Sequence, residues 1–435
     1  MDSKTLREWQ KTLRQSGNPM PTTDPRYVFN LHGSDKEDVI ERLSQDIQDT
    51  DGTATYYFTG QRGTGKSSEL LRLTAKLDGT GEFRCVLFDA TEYLNDTQPI
   101  TVEMLLLMLA VGVRDWLKTH YPEAEKDAES PLERFKNWLS KTEVELKEVS
   151  INEHLKFNLK DAQATIDRKL RSLTSEQDFL NKIRAFIKEM ADWLKQREKR
   201  EVVILVDSLE RLRGKSGDDG AEMFDSVVRT FSEQYEHLRI PLVQIVYAVP
   251  PYLCLLSNIR NLVPFYSLAS VRVYETPSTN RRQPREKGLA VMRDLLEKRI
   301  PEWEKVFTKA AIDKLSMISG GDLRHFIHRL MVDAISSAQY ALDRLPLQEN
   351  DDIIQSLKDS SEVEMTQLTV RNDWALLRSV AKDNKVIANN RGHDFSALAY
   401  YLDNRVILNY RDNKEWYDLH PSLWATIEAA GNATP

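Results

Sequence analysis

The stretch Thr55-Tyr-Tyr-Phe-Thr-Gly60-Gln-Arg-Gly-Thr-Gly65-Lys-Ser-Ser68 decides the fold. Residues 60–67 fit the pattern Gly-x4-Gly-Lys-[Ser/Thr]. A β-rich run, Thr55–Thr59, leads into it and a helical pattern, Ser67–Leu77, leads out, which is the placement a phosphate-binding loop requires. Gly60, Gly63 and Gly65 let the backbone turn sharply, so that successive N–H groups and the helix N-terminus face a phosphate. Lys66 supplies a point charge and Ser67 a Mg²⁺ ligand. With Gln61, Arg62, Thr64 and Ser68, these residues form the candidate nucleotide-binding set, and the cofactors expected are ATP and Mg²⁺.

Outward from the loop, β-type runs at Arg84–Asp89, Val202–Asp207, Leu242–Val249 and Val271–Tyr274 are separated by helical patterns. Strands alternating with helices predict a parallel α/β sheet. The run Val202-Val-Ile-Leu-Val-Asp207 ends in a carboxylate at the strand's C-terminal edge, where ligands of such sheets bind. Asp207 there is a candidate to hold Mg²⁺ through water, and Glu210 a candidate to polarise an attacking water. A surface Glu–Arg pair accounts for Glu210 equally well. More than a hundred residues separate the second and third strands, far beyond an ordinary crossover, so a helical insertion is expected over about 101–200. Its last part, Glu176–Arg200, puts Phe179, Ile183, Phe186, Ile187, Met190, Trp193 and Leu194 on one helical face. Over 144–159 a hairpin and a helix fit the pattern equally.

Residues 1–26 read as an N-terminal arm: a short basic helix, then the breaker stretch Gly17-Asn-Pro-Met-Pro21. An ATPase core is expected over 27–278 and a helical lid over 279–360, with a break at Gly320-Gly321. A winged helix is expected over 361–435. From about Thr366 that tail reads as two helices, a short helix Asp394–Leu402, a hairpin around Asp412-Asn413 and a terminal helix.

The two motifs, the strand Leu242–Val249 and the later Ser319-Gly-Gly-Asp-Leu-Arg324 resemble the AAA+ and STAND group of P-loop ATPases. The tail looks like the architecture of origin-recognition-type ATPases. The resemblance implies an α/β P-loop NTPase fold, ASCE/AAA+-like, with a helical insertion, a helical lid and a C-terminal winged helix. It also implies that Arg324 corresponds to the second sensor, an arginine reaching from the lid to the γ-phosphate. An arginine acting in trans is sought at Arg260 or in the basic loop with Arg281, Arg282 and Arg285. The chain departs from the AAA+ pattern where Ser208 follows Asp207 and the acid comes at Glu210, a spacing closer to STAND and KAP-type ATPases. It departs again where Tyr247-Ala-Val-Pro-Pro251 lacks a polar first sensor, which implies slow or regulated hydrolysis.

Composition sets the outer limits. The chain has 435 residues, 41 % of them apolar, with 60 basic against 67 acidic side chains and a net charge of −7. That length predicts two to four domains, and the charge gives no global attraction for a polyanion. The apolar run Met104–Val113 is about half a membrane span, the N-terminus has no apolar signal core, and Cys85 and Cys254 sit in apolar stretches. A cytoplasmic setting without a membrane partner is therefore expected. Residues 361–435 hold ten acids against eight bases, and Asp394–Asp403, in the place of a recognition helix, carries no base. The tail is accordingly read as a protein-contact module, with Tyr400, Tyr401 and Trp416 as contact candidates for each of which core packing is at least as good a reading, and nucleic acid as the less favoured partner. The leading expectation is a Mg²⁺-dependent ATP switch acting through a protein partner or homo-oligomer, with bacterial signalling or anti-phage defence as its setting. Its rivals are a DNA-binding initiator or loader and an ATP-binding scaffold with little turnover.

Overall fold

A computed structural model describes residues 1–15, 17–32, 38–126, 129–141, 159–160, 163, 176–212, 218–277, 282–369, 373–386, 393–412 and 414–432. The segment 144–158 and Arg281 lie outside the described residues. In chain order the main elements are α1 Ser3–Gln15, α2 Val39–Gln48, β1 Ala54–Gly60, α3 Lys66–Thr80, β2 Phe83–Asp89, α4 Val102–His120, α5 Pro131–Lys141, α6 Glu176–Glu198, β3 Glu201–Asp207, α7 Asp218–Val228, β4 Gln244–Val249, β5 Phe265–Leu268, α8 Glu286–Glu297 and α9 Lys309–Ile318. A helix follows with a π-turn, Phe326–Met331, between its α parts Leu323–His325 and Val332–Ala338. Then come α10 Asp352–Gln367, α11 Trp374–Asp383, α12 His393–Asp403, the hairpin β6 Ile407–Asp412 and β7 Lys414–Leu419, and α13 Trp424–Asn432. No described helix is long and apolar enough to cross a membrane.

The chain divides into two compact units. One comprises 42–59 and 72–266; the other comprises 1–41, 60–71 and 267–435. The five strands are ordered β2-β3-β4-β1-β5, and the β1–β4, β3–β4 and β2–β3 pairs are parallel. Strands β3 and β4 are almost continuous runs of Val, Ile and Leu because a parallel sheet is covered on both faces; only Glu201 among their residues is exposed. Helix α4 starts at the cap Thr101, whose side chain accepts from the Met104 N–H, and fourteen of its residues are buried. A helix apolar all round belongs in a core. Gly112 is required there: a Cβ on it would stand 2.5 Å from the Phe88 ring.

The sequence places the fifth strand at Val271–Tyr274, whereas it is β5, Phe265–Leu268. The expected segment spends its backbone elsewhere: Val271 N–H donates to Gly321 O and Arg285 N–H to Val273 O. The fourth strand begins at Gln244 rather than Leu242, because Leu242 takes φ +61 and gives its N–H to Thr53 Oγ1. In the other unit, α1 is part of a core rather than a free arm. Leu6 and Leu13 are fully buried among Leu330, Ile335 and other apolar residues of the 289–357 helices. Helix α10 runs through the expected boundary at 361. Between it and α12, the described residues hold one helix, α11, where two are expected.

Candidate active site

The phosphate loop leaves β1 and closes into the first turn of α3. Gly63 and Gly65 take φ of +92° and +91°, a left-handed conformation costly for any residue with a Cβ. A Cβ at Gly63 would lie 2.6 Å from the Cβ of Arg324, while at Gly65 no atom stands within 4 Å of where one would be. Gly60 is needed for a different reason, since a Cβ there would meet Leu268 O at 2.8 Å.

Lys66 is expected to face solvent; instead it is 3 % exposed. Its Nζ donates to Gly60 O at 2.7 Å and Gln61 O at 3.0 Å. The physical reason is that the Gly60 and Gln61 carbonyls give the buried ammonium acceptors it needs. Thr64 Oγ1 also donates to Gln61 O, at 2.8 Å. Ser67 is half-buried in the first turn and Arg62 is exposed. Ser68, assigned to nucleotide from the sequence, accepts the Met20 N–H at 2.9 Å and so braces the N-terminal segment.

Arg324 follows the cap Asp322, whose Oδ1 accepts the N–H groups of Arg324 and His325; the other carboxylate oxygen pairs with Arg405 at 2.8 Å. The stem of Arg324 thus lies beside the phosphate loop within one unit, on a helix held by the C-terminal segment. His325 extends that hold, with Nδ1 3.0 Å from His420 Nε2. Ser422 N–H donates to His420 Nδ1 at 3.4 Å. Burial pushes the His325 imidazole down to about 4 and also lowers that of His420. Among the described residues no group of three or more His, Cys, Asp or Glu side chains is arranged to hold a metal ion.

The carboxylates occupy the other unit. Asp207 ends β3, buried, and its Oδ1 accepts the Ser208 N–H at 2.7 Å. Ser208 takes φ +68°, an uncommon conformation for a residue with a Cβ. Its hydroxyl donates to Asp89 Oδ2 at 3.0 Å. Asp89 is the register partner of Asp207 on β2 and was not singled out from the sequence. The available signal was the same as for Asp207, an apolar strand ending in an acid. Glu210 sits in the single turn Leu209–Arg211 and is 7 % exposed, so it is not a surface acid.

The remaining candidates separate clearly. Arg260 ends the helical turn Ser257–Arg260 and is exposed. Arg282, proposed as one of the trans arginines, is held by Asp418 and Glu428 and lies over the Trp424 ring at 4.3 Å. It is an anchor. Tyr401, expected as a contact residue, is fully buried and its hydroxyl donates to Asp373. Trp416 stacks on Tyr410, and Tyr400 is half-buried.

No protein-family model and no curated protein sequence matches the chain. Solved structures similar to it include the Walker-type ATPase PABY2304 of Pyrococcus abyssi, at 14 % identity over 95 % of this chain and 99 % of that one, TM-score 0.39. The ADP form of the Aeropyrum pernix ORC2 protein is similar at 11 % identity over 97 % of each chain, TM-score 0.36. Cdc6p from Pyrobaculum aerophilum is similar at 11 % identity over 89 % of this chain and 93 % of that one, TM-score 0.33. With a parallel sheet whose β1 runs through a glycine-rich loop into the N-terminus of α3, the chain has the P-loop NTPase fold.

Proposed function

We propose that the chain is a Mg²⁺-dependent ATP-binding and ATP-hydrolysing switch. The observation that carries this reading is the loop geometry: two left-handed glycines, open space at Gly65 and a lysine held at the mouth of a helix. Backbone N–H groups, an ammonium and the Ser67 hydroxyl are the donor set a polyphosphate needs. Mg²⁺ ordinarily takes one or two protein oxygens together with substrate phosphates.

When bound, Mg-ATP supplies the phosphoryl group whose transfer to water releases phosphate. Lys66 exchanges its loop carbonyls for phosphate oxygens. Ser67 and Asp207 are the residues that would hold the metal, which would neutralise charge on the phosphate oxygens. Glu210 orients the attacking water and takes its proton. Arg324 brings positive charge from the helix beside the loop, and Arg260 supplies a second arginine to a neighbouring subunit. The output passes to a protein partner through the C-terminal segment, read as a winged helix; signalling or defence is the setting this suits. The lack of any Lys or Arg in α12, His393–Asp403, favours a protein partner over duplex DNA. DNA affinity falling steeply with added salt would favour the initiator reading instead.

Two measurements test the proposal. Titration with ATP and Mg²⁺ is expected to give saturable binding, and steady-state assays are expected to give phosphate release that rises on adding partner or raising protein concentration. Binding without turnover under any condition would leave the scaffold reading.

A further inference from the structure

Gln61 stands inside the phosphate loop, yet its side chain turns to the C-terminal segment of the same unit. The amide is 2 % exposed. Its Nε2 donates to Leu402 O at 2.9 Å and to Ile407 O at 2.6 Å, and its Oε1 accepts the Asn409 N–H at 3.0 Å. Two carbonyls on one end and an N–H on the other fix which way the amide points. Both of its donors and its acceptor are thus spent on the backbone of the segment Leu402–Asn409. The backbone carbonyl of the same residue is the acceptor for Lys66 Nζ, Thr64 Oγ1 and Thr64 N–H. One residue therefore joins the β6 strand to the loop's lysine.

Strand β6 is itself fastened on both sides. Asn409 O accepts the Ser270 N–H at 2.8 Å, Asn409 Nδ2 donates to Ser267 Oγ, and Tyr410 OH donates to Gly320 O at 2.6 Å. Gly320 opens the break that precedes Arg324, whose stem packs on Gly63. The hairpin strand thus touches the start of the phosphate loop and the base of the arginine-bearing helix together.

We propose that Gln61 is a positioning residue through which the C-terminal hairpin pre-shapes the phosphate loop, so that nucleotide binding and hairpin docking are linked equilibria. The inference rests on the reading of this loop as the nucleotide site. A loop held in its binding shape incurs less ordering cost when a phosphate arrives. Linkage then requires the bound nucleotide to tighten the hairpin by the same factor.

The test uses the full chain and two readouts. Hydrogen exchange of the wild type is followed over 402–410 with and without saturating Mg-ATP, a measurement that needs no variant to fold. Protection there is expected to rise about tenfold on binding. Gln61→Met, which keeps the volume and removes the amide, is expected to bind Mg-ATP about tenfold more weakly and to lose the nucleotide-dependent rise in protection. A purely structural Gln61 would lower thermal stability while leaving that rise intact, and this result overturns the proposal. So does wild-type affinity in Gln61→Met. A wild type that binds ATP with no change at 402–410 sinks the linkage alone, whereas one that binds no ATP removes the nucleotide-site reading beneath it.

Discussion

The phosphate loop and the carboxylate edge hold their charged groups in opposite ways. Lys66 donates to two carbonyls of its own loop, five and six residues away, so these bonds are local in sequence. The acids end two strands: Ser208, in a left-handed conformation, gives its N–H to Asp207 and its hydroxyl to Asp89, 119 positions before it in the chain. The loop groups with the N-terminal helix and the lid and C-terminal residues, and the acids group with the sheet. The loop therefore rests on a short motif, while the pairing of the acids depends on register between distant strands. Substitutions in the two regions should fail differently.

The largest expected effect comes from outside both. A trans arginine is worth about 10³–10⁵ in rate, so Arg260→Ala should bind ATP and lose nearly all turnover. Wild-type specific activity should also fall on dilution. Mixing Arg260→Ala with Lys66→Ala subunits should restore activity, since each carries the half the other lacks; flat specific activity through the dilution series would leave no role for Arg260. Next, Glu210→Gln should keep nucleotide affinity and lose about 10²–10⁴ in kcat, as the removal of a general base does. Asp207→Asn should instead raise the Mg²⁺ concentration needed for half-maximal activity. Equal losses of affinity in both variants would erase the distinction between metal holder and base.

A smaller effect tests the helix that carries Arg324. Because burial holds the His325 pKa near 4, against about 6.5 in the unfolded chain, the unfolded state binds more protons between those values. The stability due to the neutral pair is therefore intact above about pH 6.5 and is lost as pH falls toward 4. Asp322 on the helix cap and Arg405 before the hairpin act on His325 with opposite signs. From this one histidine the loss between pH 7 and pH 5 is about 2 kcal/mol. Chemical denaturation at the two pH values should show a shallower dependence in His325→Gln than in the wild type. An unchanged dependence would mean that His325 takes up its proton elsewhere in the titration.

The loop and the strand end that make up the candidate site are legible in the sequence because their signals are local. Glycines at 60, 63 and 65, the lysine, and an apolar run ending in Asp207 each declare themselves within eight residues. The fifth strand was misplaced because Val271-Arg-Val-Tyr274 alternates as well as Phe265-Tyr-Ser-Leu268 does. Only hydrogen bonds to Gly321 and from Arg285 take the former out of the ladder. The burial of Lys66 was illegible for a related reason: it follows from the convergence of the Gly60 and Gln61 carbonyls, a property of the turn rather than of residue type. Tyr401, for which contact and core packing both stay open because an aromatic on a short amphipathic helix reads the same either way, is core. The hold of Leu402, Ile407 and Asn409 on Gln61 spans more than 340 positions and leaves no local trace.

The central claim, that residues 60–68 form the nucleotide site, is tested most directly by equilibrium titration of Mg-ATP into the wild type and into folded Lys66→Ala. Loss of the lysine removes the charge-assisted hydrogen bonds to phosphate, so the account predicts saturable binding to the wild type and affinity about a hundredfold weaker or undetectable in the variant, with its circular dichroism unchanged. Equal affinity in the two proteins would contradict it.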